Sequence, residues 1–228
     1  MGKKKKKNSN YSGNVGPSVV PIKGGAAVKS ADQYKNRIIA GVCAAVAVVL
    51  IVLIVIAALP KTKYVEMDFG SYGKIVIEVD CDEAPITADN FLDLVESGFY
   101  DGLTIFRAQS GFVIQGGKND SVKLDPIKGE FSENGVSNNI SHNRGVISMA
   151  RTSEPNSATS QFFITLADSA KYSLDGKYAG FGHVVEGMDV VDAIANELMK
   201  HPSDSMGFVS SEYEIKIVSA KVIDYKAK

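Results

Sequence analysis

Phe106-Arg107-Ala108-Gln109-Ser110-Gly111-Phe112-Val113-Ile114-Gln115-Gly116-Gly117 sets a guanidinium (Arg107) and a carboxamide (Gln115) among aromatic and aliphatic side chains. Side chains alternate across a strand, so Val113 and Gln115 should point one way and Phe112 and Ile114 the other. Gly116 and Gly117 end the run where the backbone turns or something approaches it closely. The stretch holds no nucleophile, acid–base pair or metal-ligand set. A site built here works by shape, apolar surroundings and a fixed charge.

Short alternating runs recur on both sides of it. Tyr64-Val65-Glu66-Met67-Asp68-Phe69 and Lys74-Ile75-Val76-Ile77-Glu78-Val79 flank Gly70-Ser71-Tyr72-Gly73 and read as a hairpin with a turn longer than two residues. Ala84-Pro85-Ile86-Thr87 opens a helix with proline in its first turn, an apolar face of Phe91, Leu92, Leu94 and Val95, and a stop at Gly98. Further strands are expected near residues 103–108, 112–115, 145–150, 161–166 and 181–185, with a closing strand over 214–223. Residues 188–198 form a second helix with Val190, Val191, Ile194 and Leu198 on one side. Residues 119–143 are polar and turn-rich and read as a long surface excursion. Many short strands with two isolated helices give a mainly β fold, a barrel or sandwich capped by helices.

The amino-terminal quarter is different. Residues 38–59 are an uncharged apolar run of 22 residues. As a helix at ~1.5 Å per residue it reaches the ~30 Å of a hydrocarbon core. A cleaved signal peptide has a shorter apolar region, about 7–15 residues, and a small-residue cleavage site. Ala57-Ala58-Leu59-Pro60 is a poor one, so an uncleaved transmembrane helix is the expectation. Residues 1–37 carry nine basic residues and one acid, net +8, while the remainder carries 16 against 25, net −9. Basic residues stay on the cytoplasmic side. The expected organisation is therefore a basic disordered cytoplasmic tail (1–37), a transmembrane helix (38–59) and one outward-facing domain (60–228). Cys43 and Cys81, the two cysteines, lie in separate parts and give no disulfide framework.

Phe106-Arg107, Gly111-Phe112, Gln115-Gly116-Gly117, Gly145-Val146-Ile147-Ser148-Met149-Ala150, Pro155-Asn156, Ser160-Gln161-Phe162-Phe163-Ile164, Leu174-Asp175-Gly176-Lys177 and Phe181-Gly182 occur in one order over residues 64–224. Together they resemble the cyclophilins, the peptidyl-prolyl cis–trans isomerases. Lys128-Gly129-Glu130-Phe131 and Asn143-Arg144-Gly145-Val146 look like bacterial members. The resemblance implies an eight-stranded antiparallel β-barrel capped by two α-helices, here preceded by one transmembrane helix. Carried over by position, it implies Arg107 as the catalytic residue and Phe112, Val113, Phe163 and Leu174 as the lining of a proline pocket. Gln115 and Gln161 would hold the peptide, Ala150 and Arg151 would flank the groove, and Tyr178 would wall the pocket. Val113 stands where methionine is common in eukaryotic members, Arg151 where asparagine is, Ser173 where tryptophan is and Tyr178 where histidine is. Ser173 removes a large apolar contact for cyclosporin.

The implied activity needs no cofactor and no metal. Implied partners are unfolded or partly folded secreted polypeptides with X-Pro bonds, met by a monomer anchored in the bilayer, and no nucleic acid. A peptide-binding chaperone module with little isomerase activity, or a structural envelope protein, would keep the fold without the chemistry. Without the flanking motifs, an arginine on a strand reads as a surface ion pair. His142, His183 and His201 show no metal-ligand spacing and are set aside.

Overall fold

The computed structural model describes residues 26–57 and 61–226. The chain divides into two units, Met1–Leu59 and Pro60–Lys228, each described by itself. In the first, α1 (Ala26–Ala57) is one helix of 32 residues. Its segment Asp32–Val55 is long and apolar enough to cross a membrane by length and composition. The helix begins twelve residues before the expected span, so residues 26–37 are helical where an unfolded tail was expected. Alanine, lysine and arginine propagate a helix readily once it is nucleated, and this stretch is rich in them. Residues 1–25 of the expected tail and 58–60 at the end of the run lie outside the described residues.

The second unit opens with the hairpin β1 (Thr62–Asp68) and β2 (Lys74–Asp80), paired from Thr62–Asp80 to Asp68–Lys74. Then follow α2 (Pro85–Glu96), β3 (Thr104–Gln109), β4 (Val113–Gly116), β5 (Val146–Met149) and β6 (Phe162–Thr165). A short helix α3 (Lys171–Leu174), β7 (Gly180–Glu186), α4 (Met188–Leu198), β8 (Ile215–Lys216) and β9 (Ser219–Ile223) complete it. All pairings are antiparallel, in the order β8-β3-β4-β6-β5-β7-β2-β1-β9.

Nine strands stand where eight were expected, because the closing strand is broken. β8 pairs with β3 and β9 with β1, the opposite edges of the sheet. Between them Ile217 N–H donates to Leu103 O (2.7 Å) and Val218 N–H to Asp68 O (2.8 Å). One chain segment thus serves both edges and curls the sheet into a barrel. The third helix, α3, was not expected at all; four residues are too few to show a period.

The barrel is filled by buried apolar side chains, among them Met67, Ile75, Ile77, Ile105, Ile114, Ile147 and Ile164. Phe91 of α2 packs within 5.4 Å of Tyr100, 6.1 Å of Phe162 and 5.0 Å of Phe181. Residues 119–143 are more than a surface excursion, since Glu130, Phe131 and His142 are buried. The Glu130 carboxylate accepts from Ile86 N–H (3.1 Å), Thr87 N–H (2.8 Å) and Thr87 Oγ1 (2.7 Å). It caps the α2 amino terminus, where Pro85 has no N–H to satisfy.

Candidate active site

Arg107, Gln115, Phe163 and Ser148 form one row across β3, β4, β6 and β5, each facing the next in the ladder. The register shifts between Ile105 and Arg107. Ile105 is in the barrel core, while Phe106 stacks on Phe208 at 5.9 Å and Arg107 sits beside it on the outside. Two successive residues on one side is what such a bulge produces, and it re-aims Arg107. Phe112 departs from the alternation too. It precedes the first residue of β4 and its N–H closes a turn onto Gln109 O (3.0 Å), so it joins Val113 on the outer side. Along β6, Phe162 enters the core and Phe163 the outer cluster with Val113, Ala170 and Leu174.

These outer residues enclose a hollow of about 350 Å³ lined by Arg107, Phe112, Val113, Gln115, Ala150, Arg151, Phe163, Leu174, Tyr178, Met206 and Phe208. Of the residues carried over from the motifs, Gln161 alone lies next door. It lines an adjoining hollow of about 430 Å³ that shares Gln115 and Phe208 with the first. Its Oε1 accepts from Gln115 Nε2 (3.1 Å).

The Arg107 guanidinium donates from Nη1 to Gln115 Oε1 (2.9 Å), from Nη2 to Gln109 Oε1 (2.9 Å) and from Nε to Met206 O (2.8 Å). Among the described residues no acid lies within ion-pair distance of it. Burial lowers its pKa from the ordinary value, against the opposing pull of Asp204 and Tyr178. Arginine still holds its proton at neutral pH. Three of its five N–H donors are engaged, which leaves two for a bound peptide.

On the far wall, Tyr178 meets Phe163 edge-on at 5.4 Å. Arg151 lies over both Phe131 (5.0 Å) and Tyr178 (4.7 Å) and donates from Nε and Nη2 to Lys177 O (2.9 and 2.8 Å). It is a brace for the Tyr178 ring as much as a flank of the groove. The Ala150 N–H is already donated to Gln161 O (2.8 Å), leaving the Ala150 carbonyl.

Behind Phe163 lies His142, which the motifs did not mark. Its ring stacks on Phe163 at 6.0 Å. Nδ1 lies 2.8 Å from Asp175 Oδ1 and Nε2 2.9 Å from Ser148 Oγ. Burial pushes its pKa down, partly offset by Asp175. Burial raises the Asp175 carboxyl, but hydrogen bonds from the His142 backbone, Ser141 and the His142 ring outweigh it, and the net shift is downward. Met206 and Phe208 were missed as well. The turn residues of Ser203-Asp204-Ser205-Met206-Gly207 announce a loop, but nothing in their spacing says that it folds onto β3.

Gly116 and Gly117 answer to both readings of a glycine pair. A Cβ at Gly116 would meet Thr104 O at 2.7 Å, and Gly117 has φ +80°. The close approach is made by the chain itself.

Residues 64–222 match the family described as cyclophilin type peptidyl-prolyl cis-trans isomerase. The chain belongs to the cyclophilins. A peptidyl-prolyl cis-trans isomerase of Acinetobacter baylyi is 38% identical over 182 residues, covering 78% of this chain and 94% of that one. Peptidyl-prolyl cis-trans isomerase B of Escherichia coli is 40% identical over 130 residues, 54% of this chain and 79% of that one. A cyclophilin type isomerase of Cryptosporidium parvum superposes with a TM-score of 0.60 at 26% identity, covering 72% of this chain and 99% of that one. A second structure of that protein, in the presence of the dipeptide ala-pro, gives 0.59 at 27% identity over 71% of this chain and 99% of that one. This cyclophilin is a peptidyl-prolyl cis–trans isomerase, as are the relatives it matches at about 40% identity.

Proposed function

We propose that Arg107 is the catalytic residue of a membrane-anchored bacterial cyclophilin acting on X-Pro bonds of secreted chains. The observation that carries the reading is the Arg107 guanidinium at the edge of an apolar hollow, fixed by two glutamines and with no acid within ion-pair distance among the described residues. The X-Pro bond has partial double-bond character and a barrier of ~18–20 kcal/mol. Twisting it removes amide resonance and leaves a lone pair on the nitrogen. Water favours the planar, more charge-separated form, and a proline seated among Phe112, Phe163 and Leu174 loses that solvation. The two spare N–H groups of Arg107 can donate to the lone pair, which exists only in the twisted form. That is stronger binding of the transition state than of the ground state. Gln115 and Gln161 hold the flanking peptide, Val113 and Tyr178 complete the pocket wall, and Ala150 offers its carbonyl beside Arg151.

The remaining parts of the reading concern place. The apolar segment Asp32–Val55 supports an anchor. The +8 charge of residues 1–37 supports a cytoplasmic amino terminus and an outward catalytic domain over 60–228. Acinetobacter, Dickeya, Streptomyces and Escherichia relatives at 38–44% identity support a bacterial source. The anchor would concentrate a monomeric enzyme where unfolded chains leave the membrane.

A charged hydrogen bond contributes ~1.5–3 kcal/mol, so Arg107→Ala in the full chain, held in detergent micelles, should slow a proline-peptide assay roughly ten- to hundredfold. A wild-type rate at unchanged folding removes Arg107 from the mechanism. Protease added to intact cells should cut the domain, and full protection would reverse the orientation.

A further inference from the structure

Residues 202–209 hold Arg107 at three levels. In the backbone, Ala108 N–H donates to Gly207 O (2.9 Å), Val209 N–H donates to Phe106 O (3.0 Å), and Arg107 and Phe208 form an antiparallel bridge. At the side chain, Nε donates to Met206 O (2.8 Å). Across the plane, the guanidinium carbon lies 5.3 Å from the centre of the Phe208 ring. The glutamines hold the guanidinium within its own plane. The Phe208 ring, with the guanidinium carbon over it, adds a contact from outside the hydrogen bonds that the glutamines make.

The loop is itself fastened. The Asp204 carboxylate accepts from Met206 N–H (2.9 Å) and Phe208 N–H (3.1 Å). Ser203 donates to Phe208 O from both its N–H (2.7 Å) and its Oγ (2.9 Å). Gly207 has φ +83°, where side chains are strained, and a Cβ there would run into the Ala108 carbonyl.

We propose that residues 202–209 are the positioning element of the reaction, with Phe208 and the Met206 carbonyl setting the plane of the Arg107 guanidinium over the hollow. The inference rests on Arg107 acting as proposed above; Phe208 is a positioning residue that works through it. A donor turned away from the imide lone pair weakens steeply with angle. That loss falls on the twisted state and spares ground-state binding, so kcat drops while KM holds.

The experiment uses the full chain in detergent micelles and reads kcat and KM for a proline peptide from exchange line shapes. Phe208→Leu keeps apolar bulk against Phe106 but removes the ring face, while Phe208→Tyr keeps the face. Phe208→Leu should lower kcat about three- to tenfold with KM within about twofold, and Phe208→Tyr should match wild type. In an Arg107→Ala background, Phe208→Leu should cause no further loss. An unchanged kcat in Phe208→Leu, or an equal fractional loss in both backgrounds, overturns the inference while leaving Arg107 in place. A wild-type rate in Arg107→Ala alone defeats the underlying reading instead. Should Phe208→Leu fail to fold, Asp204→Asn decides the same question, because it weakens the clamp without touching the hollow. It should lower kcat about twofold, again only when Arg107 is present; no change in kcat overturns the inference.

Discussion

Phe162 and Phe163 are adjacent in the chain and lie on opposite sides of one strand. Phe162 is fully buried against Phe91 and Tyr100 inside the barrel. Phe163 is nearly as buried, yet it is backed by an imidazole, edged by Tyr178 and opens onto the Arg107 hollow. The inner face is held by shape alone. The outer face is a row of polar groups with apolar residues set between them. The comparison shows that burial by itself does not separate a residue of the core from one that lines the hollow; the partners do.

The largest effect should come from the inner side. Phe162→Ala should cost ~3–5 kcal/mol of stability, read from urea unfolding, with the rate per folded molecule largely kept. Phe163→Ala should reverse the balance, with a smaller loss of stability and a fall of roughly tenfold or more in kcat/KM. Equal stability losses and equal rates for the two variants would break the distinction.

A pH titration sharpens it. Rotation about the bond requires no group to gain or lose a proton, so kcat/KM should be flat from about pH 7 to 8. Stability should not be flat below that. His142 has its folded pKa pushed below the ordinary 6.5, so the unfolded chain binds the proton more readily. Its contribution is complete above about pH 6.5 and is lost as pH falls through that value toward the folded pKa. His142→Asn should remove this part of the slope in urea midpoints measured between pH 7.5 and 5. An unchanged slope would mean the ring is not the responsible group.

The smallest effect belongs to the wall. Arg151→Lys keeps the charge but loses the planar contact with Tyr178 and the paired donation to Lys177 O. It should cost under about 1 kcal/mol and raise KM more than it lowers kcat. A change confined to kcat would make Arg151 part of the chemistry.

Much of this was legible from residues alone. The helix over residues 188–198 matched to both ends, because its apolar period is strong and its flanks are polar. All the motif residues but Gln161 met in one hollow: Arg107, Val113, Gln115 and Phe163 sit on neighbouring strands, where register fixes them, and Phe112, Ala150, Arg151, Leu174 and Tyr178 lie on the segments that join strands. What could not be read depended on long-range docking. The bulge before Arg107 is set by the partner strand, and the 202–209 turn finds β3 about a hundred residues back along the chain. His142 reads from sequence as an unremarkable polar residue, since what defines it is the arrival of Asp175 and Ser148. The strand count differed because the break at Ile217-Val218 follows from two edges meeting, which no local pattern announces.

The broken last strand also bears on the order of events during synthesis. Residue 64 pairs with residue 223 and residue 104 with residue 216. β1 is made early and keeps one edge unpaired until residues 219–223 have left the ribosome. An unpaired edge is an invitation to the wrong neighbour. The wall that carries Arg107 is likewise incomplete until residues 215–216 reach β3, so the barrel closes only after every one of its strands has been made.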